Sequence, residues 1–283
     1  MTSTLLTLSA FPEPDVFYKD YWNKKPFVVR NGVPSSILND LITADELAGL
    51  SLEDDIRSRI VQTAGWVCEY GPFKENKFST LGERNWSLLV QDVEKNHPKT
   101  KTIIEFFNFS PCWLMDDVMV SYSTPGGGVG PHLDSYHVFL VQGAGKRRWK
   151  IGCDRLSNGK YINGIDLKVL AEDFSGNEIE MNFGDVLYVP PYFAHAGVTM
   201  EESLTYSIGF LGPSISELLT DYGHFIEEKN VLNKRYDGED LNYASAGEEM
   251  SMEEVENFRG SLKDILDNKF FELWLRSYFK NDD

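Results

Sequence analysis

A mainly β domain, a sandwich or barrel flanked by helical segments, is the fold class that this sequence predicts. Three observations carry it. Residues 112–212 break into short β-type runs, DVMVSYS, HVFLVQG, RRWKIG, IEMN, DVLYVP and LTYSIGF, separated by Gly, Pro and Asn turns. Segments on both sides of that region space their apolar residues as helices do. Beyond residue 212, two Ser-x-x-Glu capping boxes each open such a segment.

In chain order, residues 11–33 (FPEPDVFYKDYWNKKPFVVRNGV) read as a short helix ending near Lys24–Lys25. A strand Phe27–Arg30 follows, closed by Asn31–Gly32. Residues 43–60 and 85–107 carry helical spacing; in the second, Trp86, Leu89, Val90 and Val93 fall at i, i+3, i+4 and i+7. The β region comes next. After Gly212–Pro213, the box Ser214/Glu217 precedes Ile215, Leu218, Leu219, Tyr222, Phe225 and Ile226. The box Ser251/Glu254 precedes Met252, Val255, Phe258, Leu262 and Ile265, and FFELWLRSYFK supplies a last helix. The expected division is a β-rich domain over 1–212 and a small helical module over 213–283. That module, with 8 basic against 17 acidic residues, would serve dimerisation, partner docking or closure over the β domain.

The 283 residues suit one large domain with an appendage, or two ordinary domains. Hydrophobic content of 42% with 13% aromatics is enough for a full core. Lys and Arg number 27 against 44 Asp and Glu, a net charge of −17. That balance argues against direct nucleic-acid binding, which needs clustered cations; it allows a basic protein partner, although an acidic net charge is common among enzymes of ordinary kind. Cys68, Cys112 and Cys153 form no CxxC pair, which fits a reducing compartment without a disulfide framework. The N-terminus lacks a basic n-region, and no window approaches the roughly 20 apolar residues of a membrane helix. A soluble, cytoplasmic protein is expected.

The chemistry gathers in GPHLDSYHVFLVQGAGKRRWKI, residues 130–151. In an extended strand His132 and Asp134, two apart, share a face. GDVLYVPPYFAH, residues 184–195, is a strand stopped by Pro190–Pro191, with His195 expected just beyond it on a loop. Two histidines and a carboxylate on one face of an ion are the facial triad of non-haem Fe(II) oxygenases, which leaves positions open; the HExxH spacing of zinc enzymes is absent. His97, in a polar turn, and His137, out of phase with His132, are less suited. Strand alternation puts Lys146, Arg148 and Lys150 on a solvated face and Arg147, Trp149 and Ile151 on a buried one. A buried arginine needs an anion, either a protein carboxylate or a ligand; a dicarboxylate that chelates the metal with its keto-acid end would offer its far carboxylate here. PGGGVGP (125–131) and GAGKR lack the GK[ST] of a phosphate loop, so the glycines serve a tight bend and close approach. Asp116 and Asp117 are expected in a solvated turn, with pairing to a cationic substrate as the other reading.

YWNKKPFVVRNG, SYSTPGGGVGPHLDSYHVFLVQGAGKRRW and GDVLYVPPYFAHAG, in that order, resemble the JmjC-type ribosomal oxygenases. Within them the likeness is to the bacterial arginine hydroxylases that act on a large-subunit ribosomal protein. The resemblance covers most of residues 11–212. It implies a double-stranded β-helix (jelly roll, cupin-like) over 1–212, and a helical dimerisation and winged-helix-like module over 213–283, hence a homodimer. It also implies Fe(II) held by His132, Asp134 and His195, and 2-oxoglutarate and O2 as cosubstrates. Arg147 would hold the far carboxylate, with Ser123 and Thr205 nearby; relatives carry an amide where this chain has Thr205. The same chemistry on another target (histidine hydroxylation, demethylation, a small molecule) and a non-catalytic cupin-like metal-binding module are the alternatives.

Overall fold

The computed structural model describes residues 5–238, 241 and 250–280. The chain divides into two compact units, Met1–Leu211 and Gly212–Asp283.

Among the described residues of the first unit, twelve strands form two sheets. They are β1 (Leu6–Leu8), β2 (Phe27–Val29), β3 (Ser58–Gln62), β4 (Val67–Tyr70), β5 (Trp86–Val90), β6 (Met115–Ser123), β7 (His137–Ala144), β8 (Arg147–Arg155), β9 (Gly176–Met181), β10 (Val186–Val189), β11 (Phe193–Thr199) and β12 (Ser203–Phe210). The major sheet runs β1-β2-β10-β7-β12-β6-β5-β3-β4, and the minor one β11-β8-β9. Val138 and Leu140 of β7 and Leu187 and Val189 of β10 pack against Trp149 and Ile151 of β8, Met181 of β9 and Phe193 of β11. The sheets therefore stack face to face, the layering of a jelly roll.

The opposite face of the major sheet is covered by the N-terminal segments. Phe17, Phe27, Phe107, Phe139 and Tyr188 are fully buried there, with the Phe107 and Phe139 rings 4.7 Å apart. Each such side chain contributes about 1.5–3 kcal/mol by leaving water. Because both faces are covered, central strands such as β5, β10 and β12 are buried along their whole length.

That double burial explains where helical spacing misled. Residues 44–50 are a helix, Ala44–Leu50, opened by a Thr43/Glu46 capping box, but residues 58–62 form β3. WSLLV is β5, buried on both faces, and only short helical turns follow between Val93 and Phe107. A continuous apolar run reads alike in a buried strand and a buried helix. The early helix is shorter than expected: it covers Pro14–Val16, widens into a π-type turn over Phe17–Tyr21, and stops before Asn23, whose φ is +57°.

The second unit contains helices Ile215–Lys229, Met252–Leu266 and Lys269–Tyr278, the first two opened by the capping boxes at Ser214 and Ser251. Trp274 Nε1 donates to Asp221 Oδ1 at 2.6 Å, and the Tyr222 hydroxyl to the Ile265 carbonyl at 3.1 Å. No strand occurs among its described residues.

Candidate active site

His132, Asp134 and His195 converge. One nitrogen or oxygen of each lies within 4.8 Å of the others, with His195 Nε2 3.4 Å and His132 Nε2 3.8 Å from Asp134 Oδ2. Two expectations about their backbone need correction. His195 is inside a strand, β11, and not on a loop: Pro190–Pro191 end β10, Tyr192 turns the chain at φ +65°, and pairing resumes at once with β8. His132 and Asp134 do not lie on a regular strand. His132 makes a single antiparallel bridge with His195, and the Asp134 carbonyl accepts from Tyr192 N–H at 2.7 Å.

Each imidazole is oriented by its own backbone neighbourhood. His132 Nδ1 donates to the Gly130 carbonyl at 2.9 Å and His195 Nδ1 to the Phe193 carbonyl at 3.0 Å. Those bonds place the proton on Nδ1 and leave both Nε2 lone pairs free. Burial, reinforced by the charge of His195, pulls His132 down to about 4. Burial pushes the Asp134 carboxyl up, but the histidines and a hydrogen bond from Tyr136 outweigh it and hold it at about 2. With His132 neutral and Asp134 ionised at neutral pH, two imidazole nitrogens and one carboxylate form the donor set a divalent transition metal takes.

His97 and His137 stay apart from this cluster. His97 pairs with Thr100 Oγ1 at 2.8 Å. His137 stacks on Trp22, rings 3.5 Å apart, and receives the Tyr188 hydroxyl at 2.8 Å, that oxygen itself accepting from Asn23 N–H.

Arg147 opens β8 with its side chain on the buried face, while Arg148 pairs with Glu180 and Lys150 with Asp173 on the outer one. It is 4% exposed, sits 4.8 Å above the Trp149 ring, and donates to Thr205 Oγ1 and the Gly197 carbonyl at 3.4 Å each. It has no carboxylate partner among the described residues, and its buried Nε has none of any kind. Burial lowers its pKa to about 10, so the guanidinium stays charged and un-neutralised. Ser123, fully buried, shares a 2.7 Å hydrogen bond with Ser87.

The triad, Arg147, Ser123 and Thr205 line one cavity of about 410 Å3 between the sheets. The glycines of PGGGVGP permit this closeness. A Cβ on Gly127 would stand 2.3 Å from the Trp86 carbonyl, and one on Gly128 2.3 Å from that of Gly197, while Gly126 and Gly130 have positive φ. The three converging side chains and Arg147 belong to the minor sheet and the segment bridged to it; the facing wall, including Met119, Ser121 and Ser207, belongs to the major sheet.

Asp116 and Asp117 are not in a solvated turn. Both lie in β6, and Asp117 is 9% exposed. It continues the face on which Met119, Ser121 and Ser123 line the cavity, because alternate strand residues share a side. Asp92 N–H donates to its carboxylate, but Oδ2 is buried without a partner, and burial together with Asp116 pushes its pKa up to about 6. Sequence reasoning missed Tyr136, which lines the cavity and hydrogen-bonds Asp134. Its i+2 spacing from Asp134 was the available signal.

A family model of the JmjC domain matches residues 102–218, so the cavity is that of a JmjC-class protein. The chain is 35% identical over 268 residues to the ribosomal protein uL16 3-hydroxylase of Escherichia coli (strain K12), covering 94% of this chain and 70% of that one. It is 39% identical to a probable ribosomal oxygenase of Haemophilus influenzae, over 73% of this chain and about half (51%) of the relative. The structure of YcfD, a ribosomal oxygenase from Escherichia coli, in complex with cobalt and 2-oxoglutarate superposes with a TM-score of 0.81 at 32% identity, over 95% of this chain and 71% of that one. This chain belongs to the JmjC-type ribosomal oxygenase family. No helix among the described residues is long and apolar enough to cross a membrane.

Proposed function

We propose that this chain is a 2-oxoglutarate- and Fe(II)-dependent dioxygenase that hydroxylates an arginine side chain of a large-subunit ribosomal protein. The observation that carries the reading is a pair of buried, partnerless atoms of opposite charge: Arg147 Nε in the cavity lining, and Asp117 Oδ2 on the β6 face that continues from the cavity-lining Met119, Ser121 and Ser123. Ser123, near the first, and Asp117 are six residues apart on one strand face, roughly 20 Å of chain.

The donor set fits iron: His132, Asp134 and His195 would occupy one face and leave the remaining positions for cosubstrate and dioxygen. When bound, the iron supplies the oxidising chemistry, in which dioxygen and 2-oxoglutarate yield succinate, carbon dioxide and one oxygen atom inserted into a C–H bond. The rest is done by this chain. Arg147 accepts the far carboxylate of 2-oxoglutarate in its planar fork, with the Thr205 and Ser123 hydroxyls beside it. Val138, Leu140 and Trp149 keep the cavity apolar around the reacting centre. Asp117 receives the substrate guanidinium, whose charge and several N–H donors complement a buried carboxylate with a free oxygen; a neutral imidazole would offer that oxygen one N–H and no charge. An acidic enzyme also attracts a basic ribosomal protein, which speeds encounter.

We place the protein in the cytoplasm and read residues 213–283 as the module that pairs with a second copy, since Ile215, Leu219, Leu262 and Leu273 are all more than half exposed. Sedimentation equilibrium decides the latter. The activity is tested by incubating the protein with iron, 2-oxoglutarate and peptides of large-subunit ribosomal proteins. One arginine-containing peptide is expected to gain the mass of an oxygen atom, with stoichiometric succinate, and His132→Ala to abolish the gain. Preference for a histidine peptide, or loss of a methyl group instead, overturns the arginine assignment.

A further inference from the structure

A second cation faces the same cavity. The register of the major sheet aligns Tyr70, Arg59, Leu89, Ser121, Thr205 and Gln142 in one row across six strands. At the inner end of the row Thr205 accepts from Arg147. Towards the outer end Arg59, partly buried, lines the cavity beside Tyr70, which is 61% exposed. Arg59 makes no ion pair and no side-chain hydrogen bond among the described residues. In a chain with 44 acidic against 27 basic residues that is notable; Arg30, Arg57 and Arg148 each hold a carboxylate.

We propose that Arg59 is a substrate-positioning residue that donates to main-chain carbonyls of the basic polypeptide segment flanking the hydroxylated side chain. This rests on the reading above that the substrate is a protein segment. The net charge of −17 disfavours acidic segments, so the acceptors an incoming basic segment brings are its peptide carbonyls. A guanidinium has five donors in a planar fork and can serve two of them.

The test uses the full-length protein loaded with manganese and 2-oxoglutarate, so that peptide binding is measured by calorimetry without turnover. Arg59→Met is expected to weaken peptide binding about ten-fold, the loss of one or two charge-assisted hydrogen bonds, and Arg59→Lys to weaken it less. With a peptide whose flanking amide is replaced by a trans-alkene, the wild-type protein is expected to lose the same factor and Arg59→Met to cost nothing further. Equal peptide affinity in Arg59→Met overturns the proposal. So does a comparable loss of 2-oxoglutarate affinity, which would assign Arg59 to the cosubstrate. Carbonyls are common to all peptides, so if the preferred peptide lacks a target arginine the substrate assignment falls while Arg59 is still read on that peptide. If no peptide binds, both fall.

Discussion

His132 and His195 donate their backbone N–H groups to each other's carbonyls at 3.0 Å, a one-rung antiparallel bridge between two residues 63 positions apart. Their ring centroids are 4.1 Å apart in consequence. The bridge fixes the two Nε2 atoms as a unit before any ion arrives, because each backbone bond and each Nδ1 bond is already made.

Metal binding should therefore raise stability without rearrangement. At a free Mn(II) concentration 100-fold above Kd, about 2.7 kcal/mol of added stability is expected, read as an upward shift in Tm. His195→Ala should remove that shift, and chelation of the wild type should both abolish hydroxylation and return Tm to its starting value.

Arg147→Gln removes the charged fork that donates to Thr205. Two charge-assisted bonds at about 1.5 kcal/mol each predict a rise of roughly 100-fold in the KM for 2-oxoglutarate. The Mn(II) affinity, measured by calorimetry, should stay within about two-fold. A matching loss of metal affinity would mean that Arg147 supports the triad instead.

Gly197→Ala tests the same niche from the backbone side. The new Cβ would lie 2.6 Å from Arg147 Nε and 2.9 Å from the Trp149 ring, so one of them must move. Overpacking of this kind costs about 1–3 kcal/mol, and the KM for 2-oxoglutarate should rise ten-fold or more.

Asp117 predicts a pH dependence. Its pKa is pushed up to about 6 by burial and by Asp116, and only the ionised form attracts a guanidinium. Binding of an arginine peptide should be full above pH 6 and fall as pH drops through it, while Asp117→Asn should bind roughly ten- to 100-fold more weakly at neutral pH with no such fall. An unchanged acid limb in the variant assigns the titration elsewhere.

The alternation in KRRWKI was enough to place Arg147 inside and Arg148 and Lys150 outside, because a strand with one wet face has a period of two. The capping boxes at Ser214 and Ser251 were equally legible, being local chemistry. What escaped notice depends on partners distant in the chain. Trp86–Val90 looked helical because a strand buried on both faces loses its period. Asp117 looked like turn material because nothing local says that β6 continues through it. His195 looked like a loop residue because two prolines hid how soon pairing restarts.

The two walls of the cavity carry different duties. The triad and Arg147 stand on the minor sheet and its bridged segment; Asp117 and Arg59, proposed to receive the substrate, stand on the major one, which lends only the Thr205 and Ser123 hydroxyls to the far carboxylate. Drift in target preference and preservation of the oxidative step thus draw mostly on separate parts of the polypeptide, and a lineage can retune one by substitution while most of the other is inherited intact.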